Sequence, residues 1–246
     1  TRSFHVTGVQ TCALPISFLN IAFNTTSKNP SIYDTGIMFA YSNFERTGAL
    51  ILALALEENG YERYRPPEAG DNINLLYTED RTETNKENKA NKENKANKAN
   101  KANKENNYNK IIKRCMCGRL ENDLSVHDYT DSTTKHRFKQ AYYCLMSSKT
   151  SEYLDNEKKV INSINNKYGE KIKIILGTSV TSESLNFFRI RSVIIFDPWH
   201  NSTRIYQVIG RALRTCSHSD LPEDQRTVTI YKLCASPCKY YNNDMD

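Results

Sequence analysis

Two arginines and an amide spaced to share one helical face are the strongest chemical signal in this 246-residue chain. Gln207, Gly210, Arg211 and Arg214 read Q-x-x-G-R-x-x-R. On a helix they fall at i, i+3, i+4 and i+7, so one face presents an amide, a gap and two guanidiniums. Guanidinium is always charged and matches phosphate oxygens bidentately, so two such forks suit a polyphosphate. Gly210 removes bulk beside the arginines at a cost in helix propensity that needs a reason. Taken alone, the octet also fits an amphipathic helix with surface arginines. The loops upstream weigh against that. TSVTSESLNFF, rich in hydroxyls, follows an apolar run ending at Thr178, and DPWHN follows another ending at Phe196. A second constellation is Cys115-Met-Cys117-Gly118 followed by His127, His136 and Cys144. Thiolate and imidazole of this kind suit a structural Zn2+ at Cys115, Cys117, His127 and His136. The Cys-x-Cys spacing is tighter than the usual two-residue gap, and histidines in a polar loop also fit simple exposure. Cys234 and Cys238 read as structurally neutral thiols.

Short apolar runs alternating with helical stretches must position these residues. Strands are predicted over Gly36–Ser42, Gln140–Ser147, Ile172–Thr178, Ser192–Phe196 and Thr227–Leu233. Helices are predicted over Glu45–Gly60, Tyr153–Tyr168 and Thr203–Arg214, the first stopped by Gly60. The strand runs lack polar alternation, which indicates a parallel sheet covered on both faces. In such α/β sheets ligands meet the loops at the carboxyl ends of the strands. The chemistry is therefore expected just after Ser42, Thr178 and Phe196.

Composition bounds the reading. The length allows one large domain or two small ones. Seven cysteines are too few for a secreted disulfide scaffold and fit a reducing intracellular compartment. No apolar run is long enough for a membrane span, so no membrane partner is expected. The formal charge is +6, but Asn85–Asn107 holds seven Lys and three Glu, a net +4, leaving only +2 elsewhere. Global basicity thus says little about a polyanionic partner. That tract repeats Asn-Lys-X and offers no apolar stripe, so 78–110 is expected to be a disordered Asn/Lys-rich insertion. Val6–Ile16, VTGVQTCALPI, reads like a translated sequencing-adapter oligonucleotide. It lacks the charged start and longer apolar run of a signal sequence. Residues 1–16 are therefore set outside the native fold, and 17–246 form the domain.

QVIGRALR resembles motif VI of superfamily 2 helicases, and TSVTSESLN with VIIFDPWHN resembles their motif V and the strand after it. YSNF at 41–44 is similar to motif IV in helicases of nucleocytoplasmic large DNA viruses, which share a Swi/Snf-like motor core. Cys216–Gln225, CSHSDLPEDQ, is similar to a phrase found after motif VI in that group. The resemblance covers about Gly36 to Ala235 and implies a RecA-like three-layer α/β domain with a mainly parallel central sheet, interrupted by the insertion. It implies Arg214 as the arginine finger on the γ-phosphate, Arg211 as its support, and Gln207 as the coupler of ATP to the bound strand. Asn186, Glu183 and Gly210 would lie at the ATP. Tyr41, Ser42, Asn43, Thr178 and Ser179 would face a DNA or RNA track. One departure is Ser184, where family members commonly carry Gly; a Gly needed for positive φ would make Ser184 a weakness.

No stretch reads G-x-x-x-x-G-K-[ST], and no Asp-Glu pair ends a strand. A motor needs that phosphate loop and a magnesium carboxylate besides its arginine. The resemblance therefore implies the second of two lobes, with ATP and Mg2+ bound mainly by an N-terminal RecA-like lobe absent here, and no hydrolysis by this chain alone. The leading reading is the C-terminal lobe of an ATP-dependent helicase or translocase in viral transcription or genome processing, acting in host cytoplasm or virion. A non-enzymatic nucleic-acid-binding module and a zinc-stabilised interaction domain are the alternatives. Because closing a loop costs only slowly more as it lengthens, deleting Asn85–Asn107 should leave the midpoint of thermal unfolding within about two degrees of the parent; a fall of about five degrees or more would show that the tract packs.

Overall fold

Among the described residues, seven strands, all parallel, form one sheet in the order β1-β7-β6-β2-β5-β4-β3. The computed structural model describes residues 4–10, 14–23, 36–66, 75, 112–123, 127, 136–147, 154–179, 186–198 and 201–234. The strands are β1 (Phe4–Gln10), β2 (Ile37–Tyr41), β3 (Glu62–Arg63), β4 (Tyr142–Met146), β5 (Ile174–Gly177), β6 (Ile190–Ile195) and β7 (Val228–Cys234). The α-helices among the described residues are α1 (Leu14–Ala22), α2 (Leu50–Glu58), α3 (Leu154–Asn162) and α4 (Ser202–Ala212). The expected insertion at 78–110 lies outside the described residues. No helix among the described residues is long and apolar enough to cross a membrane.

The pleat sorts successive side chains into two cores, one on each face. Met38, Ala40, Tyr143, Leu145, Ile174, Leu176, Ile194 and Leu233 meet Phe18 and Ala22 of α1 and Leu52, Ala53 and Leu56 of α2. Their chain neighbours Ile37, Phe39, Tyr41, Cys144, Met146, Ile175, Val193 and Ile195 turn to the other face. There they meet Ile161 of α3 and Val208, Ile209 and Ala212 of α4. This double burial explains why the strands read as unbroken apolar runs. The chain leaves β2 outward over the first face through α2 and returns to β5 over the second through α3. Reversing direction and face together is what a constant crossover hand requires.

Local chemistry shifts three expected boundaries. The helix expected from Glu45 opens as a π-helical turn over Glu45–Ala49 before α2 begins. The helix expected over Tyr153–Tyr168 ends at Asn162, because Ser163 turns extended (ψ 145°) and its hydroxyl accepts from Asn165 N–H, starting a 3-10 turn. Gly60 stops α2 as expected: its φ is +88°, and a Cβ there would lie 2.2 Å from the Ile112 carbonyl oxygen. That close approach joins the two sides of the long excursion, with Arg114 N–H donating to Gly60 O at 2.9 Å.

Residues 4–10 pair along their whole length with β7, and 14–22 form α1 over the first core. The edge of a parallel sheet accepts a further strand through backbone hydrogen bonds alone, which composition does not reveal.

Glu157 of α3 is buried, 3% exposed, with Oε2 unpartnered. Burial raises its pKa from 4.5 to about 7, against the weaker opposing pull of Arg63 and Arg65. The folded chain then binds a proton that the unfolded chain has released, so stability falls as pH rises from about 4.5 through 7. Glu157→Gln, neutral throughout, should gain roughly 2–3 kcal/mol relative to the parent between pH 4.5 and pH 8 in urea unfolding. Equal pH dependence in both proteins would show that Glu157 is solvated.

Candidate functional site

Three neighbouring strands, β6, β2 and β5, end level with one another: Tyr41 pairs with Gly177 on one side and Ile195 on the other. The ladder runs one step further, Ser42 N–H donating to Gly177 O at 3.0 Å and Phe196 N–H to Tyr41 O at 2.9 Å. Asp197 then caps the edge. Its two carboxylate oxygens accept from Asn43 N–H at 3.0 and 2.9 Å. Burial raises the Asp197 pKa from its ordinary value, while that bond works the other way. The Ser42 hydroxyl and Phe44 backbone close a small turn, Oγ donating to Phe44 O at 2.9 Å and accepting from Phe44 N–H at 3.2 Å. Gly48 leaves room for that hydroxyl, since a Cβ there would lie within 3 Å of Ser42 side-chain atoms.

The structure thus brings Tyr41, Ser42, Asn43 and Thr178 to one edge, with Ser179 next in the chain. Thr178 is buried and its hydroxyl donates to Met146 O at 3.3 Å, so that hydroxyl is engaged inside the sheet rather than directed outward. The described contacts tie Asn186 to α3, not to this edge: Asn162 Nδ2 donates to Asn186 O at 3.0 Å, and Asn186 Oδ1 is buried without a partner. Glu183 and Ser184 lie outside the described residues.

Helix α4 packs through Val208, Ile209 and Ala212, and Asn201 caps its start by accepting from Thr203 N–H at 2.9 Å. Gln207 and Gly210 consequently face outward and Arg211 is half-buried. A Cβ built on Gly210 would meet nothing within 4 Å, so no contact among the described residues explains that glycine. The expected single face does not continue to Arg214. The helix ends at Ala212, and Arg214, exposed, stands in the turn beyond. Ser217 N–H donates to Arg214 O at 3.1 Å, with Ser217 Oγ 2.8 Å from the same oxygen. Cys216 takes a positive φ of 62° to make that turn.

This turn is clasped to the start of β6 by residues the sequence reading did not single out. His218 Nε2–H donates to Ile190 O at 2.6 Å, while its Nδ1 meets Ser217 Oγ at 2.8 Å. Arg189, also at φ 62°, pairs with Asp220 and donates to Asn162 O and Ser163 O at 3.0 and 3.2 Å. The salt bridge to Arg189 holds the exposed Asp220 carboxyl below its usual pKa. The quoted CSHSDLPEDQ contained Ser217, His218 and Asp220, but only the fold shows what they hold.

Apart from this edge, at the segments preceding β4, Cys115, Cys117, His127 and His136 converge with all four ligand atoms within 4.8 Å of one another. Cys115 Sγ lies 3.5 Å from His136 Nε2, and Cys117 Sγ lies 3.6 Å from His127 Nε2. The hydrogen bond from Cys117 lowers the pKa of Cys115 and raises that of Cys117. Cys144, quoted in the same run, is buried within β4 in the second core and is not part of the group.

Residues 123–216 match the helicase conserved C-terminal domain. The chain is 43% identical over 79 residues to a protein of Acanthamoeba polyphaga mimivirus named as an ATP-dependent RNA helicase, covering 32% of this chain and 14% of that one. It is 39% identical over 95 residues to nucleoside triphosphatase I of Melanoplus sanguinipes entomopoxvirus, covering 38% and 14%. With the early transcription factor large subunit homolog of African swine fever virus it shares 30% over 120 residues, covering 48% and 10%. The chain thus spans no more than 14% of the length of these relatives. A superposition on S. cerevisiae Dbp5 L327V bound to RNA and ADP BeF3 gives a TM-score of 0.42 at 9% identity, covering 94% of this chain and 35% of that one. The assignment rests on the sequence matches and on the parallel sheet. Residues 123–216 are thus similar to the helicase conserved C-terminal domain, and the chain is similar over part of its length to a mimivirus ATP-dependent RNA helicase and an entomopoxvirus nucleoside triphosphatase.

Proposed function

We propose that this lobe supplies the arginine finger and part of the nucleic-acid track of an ATP-driven helicase or translocase, in viral transcription or genome processing. The observation that carries the reading is the outward placement of Gln207 and Gly210 on an α4 anchored by its opposite face, with the exposed Arg214 in the turn just beyond and, among the described residues, open space over Gly210. A second lobe holding ATP and Mg2+ would approach there, and a glycine leaves it room. In hydrolysis, water bonds to the γ-phosphorus as the bond to the β,γ-bridging oxygen breaks. Arg214 would stabilise the charge spreading over the γ-phosphoryl oxygens, Arg211 would support it, and Gln207 would link the nucleotide to the track. Ser42, Asn43 and Ser179, at the carboxyl edge, would meet the backbone of DNA or RNA, with Tyr41 and Thr178 shaping that edge from within. Asn186 and Glu183 complete the nucleotide side of the proposal. The viral relatives support an intracellular setting, in host cytoplasm or virion. Residues 17–246 form the native lobe in this reading, with 78–110 an insertion in it.

In a protein that joins this lobe to a phosphate-binding lobe, Arg214→Lys should lower nucleic-acid-stimulated turnover by about two orders of magnitude or more, with ATP affinity changed less than about threefold. Lysine keeps the charge and loses the planar fork. Weakened affinity with near-normal maximal turnover would assign Arg214 to ground-state binding instead. His218→Ala should free the turn that follows Arg214. The expected loss is about 1–3 kcal/mol in urea unfolding of the chain, because Ile190 O and the Ser217 hydroxyl lose a buried partner. Unchanged stability would show that the clasp is not formed.

A further inference from the structure

We propose that Cys115, Cys117, His127 and His136 bind one Zn2+ in a closed structural site that fastens the end of the long excursion to β4. The inference is independent of the motor reading. Zinc–sulfur bonds of about 2.3 Å and zinc–nitrogen bonds of about 2.0–2.1 Å, arranged tetrahedrally, separate sulfur from nitrogen by about 3.5 Å. The two sulfur–nitrogen pairs stand at 3.5 and 3.6 Å, and all four donor atoms lie within 4.8 Å. Two sulfur–nitrogen separations therefore already match a tetrahedral site, and no pair of donor atoms has to close from beyond 4.8 Å.

The unusual Cys-x-Cys spacing has a local cause. Met116 drops into the first core, leaving Cys115 and Cys117 together in a separate group with Phe138. Both thiols then meet histidines carried by the chain further on. Cys115 is bridged to Gln140, and Lys139 N–H points at Cys115 Sγ from 3.4 Å, as backbone amides do toward a ligating thiolate. After Cys117 the chain turns at Gly118, whose φ is +91° and whose Cβ would lie 2.2 Å from Phe23 O. The thiols are thus held between α1 and the segment entering β4.

Three of the four ligands are buried, and all four positions of a tetrahedron are filled by protein, which leaves none for substrate. The group precedes β4, whereas Ser42, Thr178 and Asp197 follow the carboxyl ends of their strands. Its task is structural: it ties Cys115 and Cys117 to His127 and His136, across a polar stretch that brings little apolar surface of its own. Among the described residues, Phe138 is the partly buried hydrophobic packed against the thiols.

The test uses the 246-residue chain purified without chelator in zinc-supplemented medium. Elemental analysis should find about one zinc per chain, retained on dialysis and released when a mercurial titrates the thiols. Cys117→Ser and His136→Ala should lose it, and Cys234→Ser, at an exposed thiol, should keep it. Should the ligand variants fail to fold, the parent refolded with Co2+ decides. Intense visible d–d bands with a thiolate-to-cobalt charge-transfer band support the site. A weak octahedral spectrum, near-zero metal in the parent, or full zinc in a folded Cys117→Ser, His136→Ala double variant overturns it.

Discussion

Everything at the carboxyl edge depends on β2 lying between β5 and β6 in a fixed register. Both faces of β2 are buried, so a slip of one residue would exchange the cores and send Phe39 and Tyr41 where Met38 and Ala40 belong. Register is thereby locked, and with it the meeting of three chain segments that are distant in sequence. Asp197 carries the constraint one residue beyond the ladder, because its carboxylate holds the Asn43 amide. The sheet's hydrophobic order thus becomes a polar edge of defined shape.

On the second face, the apolar positions of α4 set which way its polar ones look. Val208, Ile209 and Ala212 anchor the helix, so Gln207 and Gly210 are turned away from the sheet by geometry alone. Arg214 is placed differently. It stands past the helix end, and its backbone is held by Ser217, which His218 ties to Ile190 at the start of β6. Arg189 and Asp220 brace the same turn from beside α3.

The sheet was legible because its cause is local and repeated: each strand needs a short apolar run, and Gly60 and the polar loops mark the gaps. Helix-to-strand order followed from the same pattern. What escaped was set by contacts between segments far apart. Ser163 breaking α3 and Arg189 adopting a positive φ follow from tertiary partners, and neither residue type announces it. Two edge additions, the two-residue β3 and residues 4–10, form through backbone pairing that composition does not encode. The site was legible in part. Ser42, Asn43 and Thr178 do share one edge, yet Thr178 spends its hydroxyl on Met146, and Asn186 is held at α3. The four Cys/His residues were readable as types, but only the fold shows that Met116, facing the core, leaves Cys115 and Cys117 together despite their one-residue spacing.

The central claim is that Arg214 reaches the transferring phosphoryl group. A structure of this lobe joined to its phosphate-binding partner, with ADP, Mg2+, a fluoroaluminate mimic of the γ-phosphoryl and a bound oligonucleotide, tests it most directly. The account predicts the Arg214 guanidinium about 2.7–3.1 Å from a fluoride, with Gly210 facing the opposite lobe. A mimic contacted by another cation, with Arg214 left in solvent, would contradict it.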